Sequence, residues 1–419
     1  MNAPANGEGG AEHAVADGGG SPVAGGGGIS AGSGAPRSVL VVGASAAGLA
    51  TAEALRRKGF DGRLTLLGAE AHLPYDRPPL SKQVLSGQWD PERARLRPET
   101  MLADLDIDLA LGEAAVGLDP AARVVKTDRE RELRADAIVI ATGIRPRALP
   151  GTTGIAGVHL LRTMEDALRL QSELTEGSRL VVVGDGVLGA EIAATATKLT
   201  GSVTLVGPQA APMELQLGAE TAKALAELHS ERGVDLRPGV GVDGLVERDG
   251  RVSGVRLATG EVLAADSVVV SIGSVPVTEW LDGSGLRVGN GVVCDSHCLA
   301  AEGIWAVGDV ARWHHAGLDR SLRLENRTNA TEQAGAVAAN ILGEARPYAP
   351  VPYFWTDQFD VKIQVYGLPS VRAETEVVEG DPADGRFVLR CTENDHVSAV
   401  IGWNMPKQAR QRRAEVFYA

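Results

Sequence analysis

Residues 180–191 read LVVVGDGVLGAE, an apolar run that breaks into Gly184-x-Gly186-x-x-Gly189 and then opens a helical pattern. In a strand–turn–helix unit the first glycine permits the tight turn and the second lets the backbone approach a pyrophosphate. The third lets helix and strand pack closely. Phosphates then sit on the helix N-terminus, where amide groups and the helix dipole favour anions. A related stretch comes earlier: VLVVGASAAGLATAEAL at 39–55, with Ser45 in the middle place of Gly43-x-Ser45-x-x-Gly48. Serine is small enough to keep that close approach, and Ala52 and Gly59 continue the frame at spacings that suit tight helix packing. Two such turns imply two dinucleotides, and so a two-cofactor enzyme.

Outward from these turns, strand-like and helical runs alternate at 38–42, 47–58, 63–67, 136–141, 165–175, 179–183, 187–199 and 202–206. That alternation predicts parallel α/β architecture. Around Arg346 the texture changes to the Pro- and aromatic-rich RPYAPVPYFW, and strand-like runs follow at 361–366, 386–391 and 397–403. The expected fold class is therefore α/β, with two Rossmann-like dinucleotide-binding domains and a small α+β C-terminal domain. Residues 1–36 are nearly all Gly, Ala, Ser and Pro with a few acids, which predicts a disordered tail without chemistry.

Composition excludes several classes. The 419-residue chain carries a net charge of −13, of which Glu8, Glu12 and Asp17 in the tail supply −3, and such an acidic chain is a poor nucleic-acid binder. Only 3 cysteines argue against a disulfide scaffold and for a reducing compartment. No apolar run approaches the ~18 residues of a membrane helix, and the start MNAPANGEGG lacks the layout of a secretory signal. A cytoplasmic protein without a membrane partner is expected.

DAIVIATG (136–143) and DSVVVSIG (266–273) each end an apolar strand in a small-residue turn, and GIWAVGDVA (303–311) places Asp309 just past a buried strand. There its carboxylate could accept hydrogen bonds from a flavin ribityl chain or cap a helix. With these pieces the chain resembles the ferredoxin reductase family, the FAD-dependent, NAD(P)H-oxidising partners of haem monooxygenases and Rieske-type dioxygenases. The stretches that carry the resemblance are VVGASAAGLATAEALRRKGF, HLPYDRPPLSK (72–82), ATGIRPRALPG (141–151), LRTMEDA (161–167), GDGVLGAEIAA, WAVGDVARW, RLENRTNATEQ (323–333) and VPYFWTDQFDVKIQ (351–364).

The resemblance implies a disulfide-reductase-type fold: an FAD domain (37–147 and 270–346) interrupted by an NAD(P) domain (148–269), then an interface domain (347–419). For FAD it implies Gly43, Ser45, Ala46, Ala47, Gly48, Ala69, Glu70, Arg77, Lys82, Val116, Ala141, Thr142, Gly143, Arg162, Gly308, Asp309, Arg327 and Trp355. For NAD(P)H it implies Gly184, Gly186, Val187, Leu188, Gly189, Glu191 and Gly273. Glu70, 27 residues past Gly43, is the expected ribose partner of the FAD half. Lys82 is expected near flavin N5, paired with Glu191, where an ammonium stabilises the negative charge that a hydride delivers. These two are the catalytic candidates.

Some positions depart from the family. Where members show His-Trp, this chain reads Glu325-Asn326-Arg327-Thr328-Asn329, so Arg327 is expected to donate to the flavin's pyrimidine edge without the aromatic contact. The second motif's strand ends in Val206, Gly207, Pro208 and Gln209, with no acid for a ribose and no Arg nearby for a 2′-phosphate, so NADH is preferred only weakly and NADPH stays open. No cysteine precedes Cys294, which argues against electron transfer to a disulfide.

CDSHC (294–298) lacks a fourth ligand close in sequence, so no metal is expected, and His314 and His315 read as solvated loop residues. The expected activity is hydride transfer from NAD(P)H to FAD, then single-electron delivery to an iron–sulfur ferredoxin, by a monomer or weak dimer. Rubredoxin reductase, NADH oxidase and a nitrite-reductase-type flavin subunit are the neighbouring enzyme readings. An NADH-sensing switch like apoptosis-inducing factor is the reading from another class. Two basic stretches are candidate docking sites. Arg312, Arg320, Arg323 and Arg327 against Asp319 and Glu325 give +2, and Lys407, Arg410, Arg412 and Arg413 against Glu415 give +3.

Overall fold

A computed structural model describes residues 36–416, so the tail expected at 1–36 lies, apart from Pro36, outside the described residues. A six-stranded sheet runs in the order Leu299–Ala301, Ile304–Ala306, Ala137–Ile140, Ser38–Val42, Arg63–Gly68 and Asp108–Leu111. Its strands come from two separated parts of the chain. Between those parts lies a second, fully parallel sheet, ordered Val234–Arg237, Ser202–Val206, Arg179–Val183, Ser267–Val270 and Val158–His159. Both faces of each central strand are covered, which is why Ala137–Ile140 and Ser267–Val270 are buried at every position.

The chain crosses between the two sheets twice, and the crossings pair with each other: Ile144–Pro146 lies antiparallel to Ser274–Pro276. Each sheet is also pinned at the start of its central strands by an aspartate. Asp136 accepts hydrogen bonds from the amides of Arg37 and Ser38 and from the Ser38 hydroxyl. Asp266 does the same for Arg179, through its amide at 2.9 Å and its guanidinium at 2.9 and 2.7 Å. These donors lower the Asp136 carboxyl and bring that of Asp266 down to about 2.

The helix Ala46–Arg57 packs against Arg327–Ile341 over the first sheet, through Leu55, Ala334, Val337 and Ala338. The C-terminal part is an antiparallel five-stranded sheet, ordered Tyr353–Gln358, Val361–Gly367, His396–Trp403, Arg386–Glu393 and Glu374–Asp381. One face lies on Ala190, Met213, Leu217 and Leu225 beside the second parallel sheet, and the short helix Pro406–Gln411 covers the other. No helix among the described residues is long and apolar enough to cross a membrane.

One local expectation fails here. His314 and His315 lie on the strand Ala311–His315, which pairs with Gly291–Cys294 and Arg320–Leu322. The His315 ring is buried, with Nε2 at 2.8 Å from the Pro350 carbonyl. Strand alternation turns it inward behind Trp313 while His314 faces Asp319.

Candidate functional site

Both glycine-rich turns open onto one cleft of about 950 Å³, at the upper end of ligand pockets. In the first turn Gly43 has φ +121°, and a Cβ there would stand 2.1 Å from the Ala141 carbonyl oxygen. A Cβ on Gly48 would lie 1.8 Å from the Gly43 oxygen, so the helix closes on the strand only because both positions are bare. Ser45 is the N-cap of the helix, spends no hydrogen bond on capping, and lines the cleft with Ala46 and Ala47. Gly308 sits behind Ala47, where a Cβ would come within 2.8 Å of the Ala47 methyl. Gly43, Gly48 and Gly308 thus shape the cleft without lining it.

Charged groups surround this turn. Arg162 Nη2 lies 3.3 Å from Asp309 Oδ2, and both line the cleft. Burial pushes the Asp309 carboxyl up, and Arg162 partly restores it. Arg77 donates to Glu70 at 2.7 Å, to the Tyr75 hydroxyl and to the Arg162 carbonyl. Among the described residues, Arg77 and Arg320 each line the cleft with a buried Nε that has no hydrogen-bond partner. The bare glycines, the free helix N-terminus and these orphaned donors fit the phosphates and polar edge of a flavin dinucleotide.

The second turn repeats the geometry. Gly184 has φ +111°, its Cβ would meet the Ser271 oxygen at 2.3 Å, and a Cβ on Gly189 would meet the Gly184 oxygen at 1.8 Å. Gly186 caps the helix Val187–Ala196, and Gly186, Val187, Leu188 and Gly273 line the cleft. Asp185 turns inward under Gly207 and accepts from the Gln209 amide at 3.0 Å and its side chain at 2.9 Å. Gln209, at the place where a ribose acid is sought, is thereby committed to Asp185.

Between the turns stands the ion pair. Lys82 Nζ donates to Glu191 Oε2 at 2.6 Å, with side-chain exposures of only 11% and 7%. The Ser81 hydroxyl donates to the same oxygen at 2.6 Å, and the Thr356 hydroxyl to Oε1 at 2.8 Å. The geometry puts a cation and its counter-ion on the cleft wall shared by the two turns, with Trp355 also on the wall.

Several candidates stand elsewhere. Val116 is 54% exposed at a register shift between Ala115 and Gly117, where the bulge turns it away from the cleft. Both Glu70 oxygens are taken, by Arg77 and by the Tyr75 hydroxyl, and neither Glu70 nor Ala69 lines the cleft. The Thr142 hydroxyl donates to the Val277 carbonyl at the domain crossing, while its neighbours Ala141 and Gly143 do line the cleft. Arg327 lines the cleft but its Nε is spent on Asp76 at 2.6 Å.

The first basic stretch is not an open patch either. Arg323 is tied to Glu325 at 2.6 Å with 7% of its side chain exposed, and Arg320 faces the cleft. Arg410 and Arg413 are exposed, whereas Arg412 pairs with Glu415. The CDSHC segment assembles no metal cluster among the described residues. Burial raises all three thiols, Cys298 to about 12, and none lines the cleft. Thr356, Gln358 and His229 were not among the candidates. The only trace in sequence is a polar pair two residues apart on a strand, which places both on one face.

Residues 37–334 match the family model described as pyridine nucleotide-disulphide oxidoreductase, and residues 353–416 match the one described as reductase C-terminal. The chain is 38% identical over 372 residues to rhodocoxin reductase of Rhodococcus erythropolis, covering 88% of this chain and 87% of that one. It is 35% identical over 382 residues to putidaredoxin reductase of Pseudomonas putida, with 90% of each covered. The crystal structure of the covalent putidaredoxin reductase–putidaredoxin complex superposes with a TM-score of 0.86 at 35% identity, over 91% of this chain and 93% of that chain.

Proposed function

The chain belongs to the pyridine nucleotide-disulphide oxidoreductase family and is an FAD-dependent, NAD(P)H-oxidising reductase of its ferredoxin reductase branch; within that family we propose which residues do the work and where electrons go. FAD lies along Gly43–Gly48 and NAD(P)H, with NADH the weakly preferred form, along Gly184–Gly189. The acceptor is an iron–sulfur ferredoxin of the [2Fe–2S] type that serves a haem monooxygenase or Rieske-type oxygenase. Residues 37–147 with 270–346 form the FAD domain, 148–269 the NAD(P) domain and 347–419 the interface domain, in a cytoplasmic monomer or weak dimer.

One observation carries this reading: two turns of the same geometry face one cleft, with Lys82 and Glu191 between them. FAD, when bound, supplies the conversion between a two-electron hydride donor and a one-electron acceptor. Ser45 and the amides of the first helix hold the phosphates. Asp309, kept in place by Arg162, accepts hydrogen bonds from hydroxyl groups. Val187 and Leu188 line the cleft and would offer the nicotinamide side an apolar wall that excludes water.

Lys82 offers positive charge where negative charge arrives. A bare cation 4 Å away would contribute roughly 4 kcal/mol at an effective dielectric of 20, and Glu191 offsets part of it. No proton has to be moved to or from carbon, so neither residue needs to titrate. Among the described residues no thiol lines the cleft, which supports single-electron exit rather than transfer to a disulfide.

The test is direct. Purified protein is expected to be yellow, to bleach with NADH under anaerobic conditions, and to reduce a [2Fe–2S] ferredoxin catalytically. Colourless protein that ignores added FAD overturns the reading. For docking, Arg410→Glu with Arg413→Glu is expected to raise the ferredoxin KM more than the NADH KM, since local charge steers an acidic partner. Parent values for both, with salt-independent ferredoxin reduction, remove that surface.

A further inference from the structure

Among the described residues, the hydrogen-bond partners of the Glu191 carboxylate are all donors. Ser81 and Lys82 come from the segment beside the first turn, and Thr356 comes from the first strand of the C-terminal sheet. Behind Thr356 the chain of donors continues. Gln358 Nε2 donates to Thr356 Oγ1 at 3.1 Å, and Gln358 Oε1 lies 2.6 Å from His229 Nε2. His229, on the helix Ala219–Glu231, is fully buried, and burial lowers its pKa, which favours the neutral ring. A neutral ring facing the Gln358 carbonyl carries its single proton on Nε2. Every hydrogen bond then runs one way: His229 to Gln358, Gln358 to Thr356, Thr356 to Glu191.

Such aligned dipoles reinforce one another in a dry interior and favour negative charge at their end. Thr356 is fully buried and Gln358 is 1% exposed, on the sheet face that packs on helices carrying Ala190 and Leu225. Apolar residues of the same size would fill that face at lower cost, because polar groups in a core are tolerated only when their hydrogen bonds are made. His229 Nδ1 is left buried with no partner among the described residues, a further cost that packing alone does not explain.

We infer that Thr356 is a positioning residue for the hydride step: its hydroxyl, oriented by Gln358 and His229, anchors Glu191 Oε1 so that Oε2 stays on Lys82. The C-terminal sheet thereby sets the net charge beside the flavin. This rests on the reading that the ring lies next to Lys82. Without the anchor the carboxylate turns away, Lys82 is less offset, and the reduced flavin gains.

The experiment compares holoenzyme forms of Thr356→Val, Thr356→Ser, Gln358→Leu and Glu191→Gln. It reads the midpoint potential of bound FAD by spectroelectrochemistry and the limiting rate of anaerobic reduction against NADH concentration. Glu191→Gln is expected to raise the potential most. Thr356→Val is expected to raise it in the same direction by up to about tenfold in the redox equilibrium, which is ~30 mV for a two-electron couple. Its limiting reduction rate changes while the NADH dissociation constant holds. Gln358→Leu follows with a smaller shift, and Thr356→Ser restores the parent. If Thr356→Val fails to fold, Gln358→Leu against Glu191→Gln carries the same comparison. Parent potential and rate in Thr356→Val and Gln358→Leu, with Glu191→Gln shifted, overturn the inference alone. Parent behaviour in all of them overturns the placing of the ion pair, and the inference with it.

Discussion

The two glycine-rich turns share a backbone and differ in their surroundings. In each, the third small position would place a Cβ 1.8 Å from the first glycine's oxygen. Around the first turn stand Arg77, Arg162, Asp309, Asp76 and Arg327, all on the cleft wall and held by one another. Around the second the wall is Gly186, Val187, Leu188, Ser271 and Gly273, Asp185 within the turn faces inward, and Glu191, also on the wall, is spent on Lys82. The backbone geometry that the proposal assigns to a pyrophosphate is the same in both cases. The neighbours decide how long a dinucleotide stays, because charge-assisted hydrogen bonds from fixed partners resist exchange more than an apolar wall does. On the reading proposed above, the first site suits a resident group and the second a substrate that comes and goes.

The largest test of that contrast is Gly48→Ala beside Gly189→Ala. Each methyl must displace a helix by more than an ångström, or roughly from 1.8 Å to an ordinary contact. Gly48→Ala is expected to lose FAD on purification. Gly189→Ala is expected to stay yellow while its second-order rate of reduction by NADH falls by about 100-fold or more, equivalent to ~3 kcal/mol. If both variants lose FAD, or both keep parent reduction rates, the division of labour fails.

A smaller effect is expected from Arg162→Ala. It strands the partly buried Asp309 carboxylate, whose pKa burial already pushes up, and an unpaired group of this kind costs about 1–3 kcal/mol. FAD affinity, read by fluorescence on titration of the apoprotein, should fall roughly 10- to 100-fold. NADH affinity of the FAD-loaded protein should hardly move. An equal loss in both would mean that the charged wall does not belong to the first site.

The smallest concerns the matched strand clamps. Asp266 is lowered to about 2 by Arg179, against an ordinary value of ~3.9. The stability it contributes is therefore complete above about pH 4 and is lost as pH falls through 2. Because the pair is nearly half exposed, solvent screening leaves only a small part of it. Urea unfolding should show Asp266→Asn with a shallower loss of stability between about pH 4 and 2 than the parent. Identical slopes would assign that acid sensitivity to other carboxylates.

The sequence by itself determined the two turns, the strands that feed them and the change of texture at the C-terminal sheet. Those features rest on local rules: a bare Cα where two backbones touch, continuous apolar runs where a strand is covered on both faces, and alternation where one face is wet. The Lys82–Glu191 pair was legible only through motif resemblance, since its partners are 109 residues apart. What tertiary structure decided was everything that depends on which side chains meet. The bulge at Val116 reversed its face. Acids from distant segments claimed cations that looked free when counted along the chain, as Asp76 claims Arg327. Strand pairing drew His315 into the core. Above all, the line from His229 to Glu191 joins a helix beside the second turn to the last sheet and back, and no local period can announce it. Hydrogen bonds and ion pairs act over about 3 Å of space, whereas sequence spacing reports only what one helix or strand brings together.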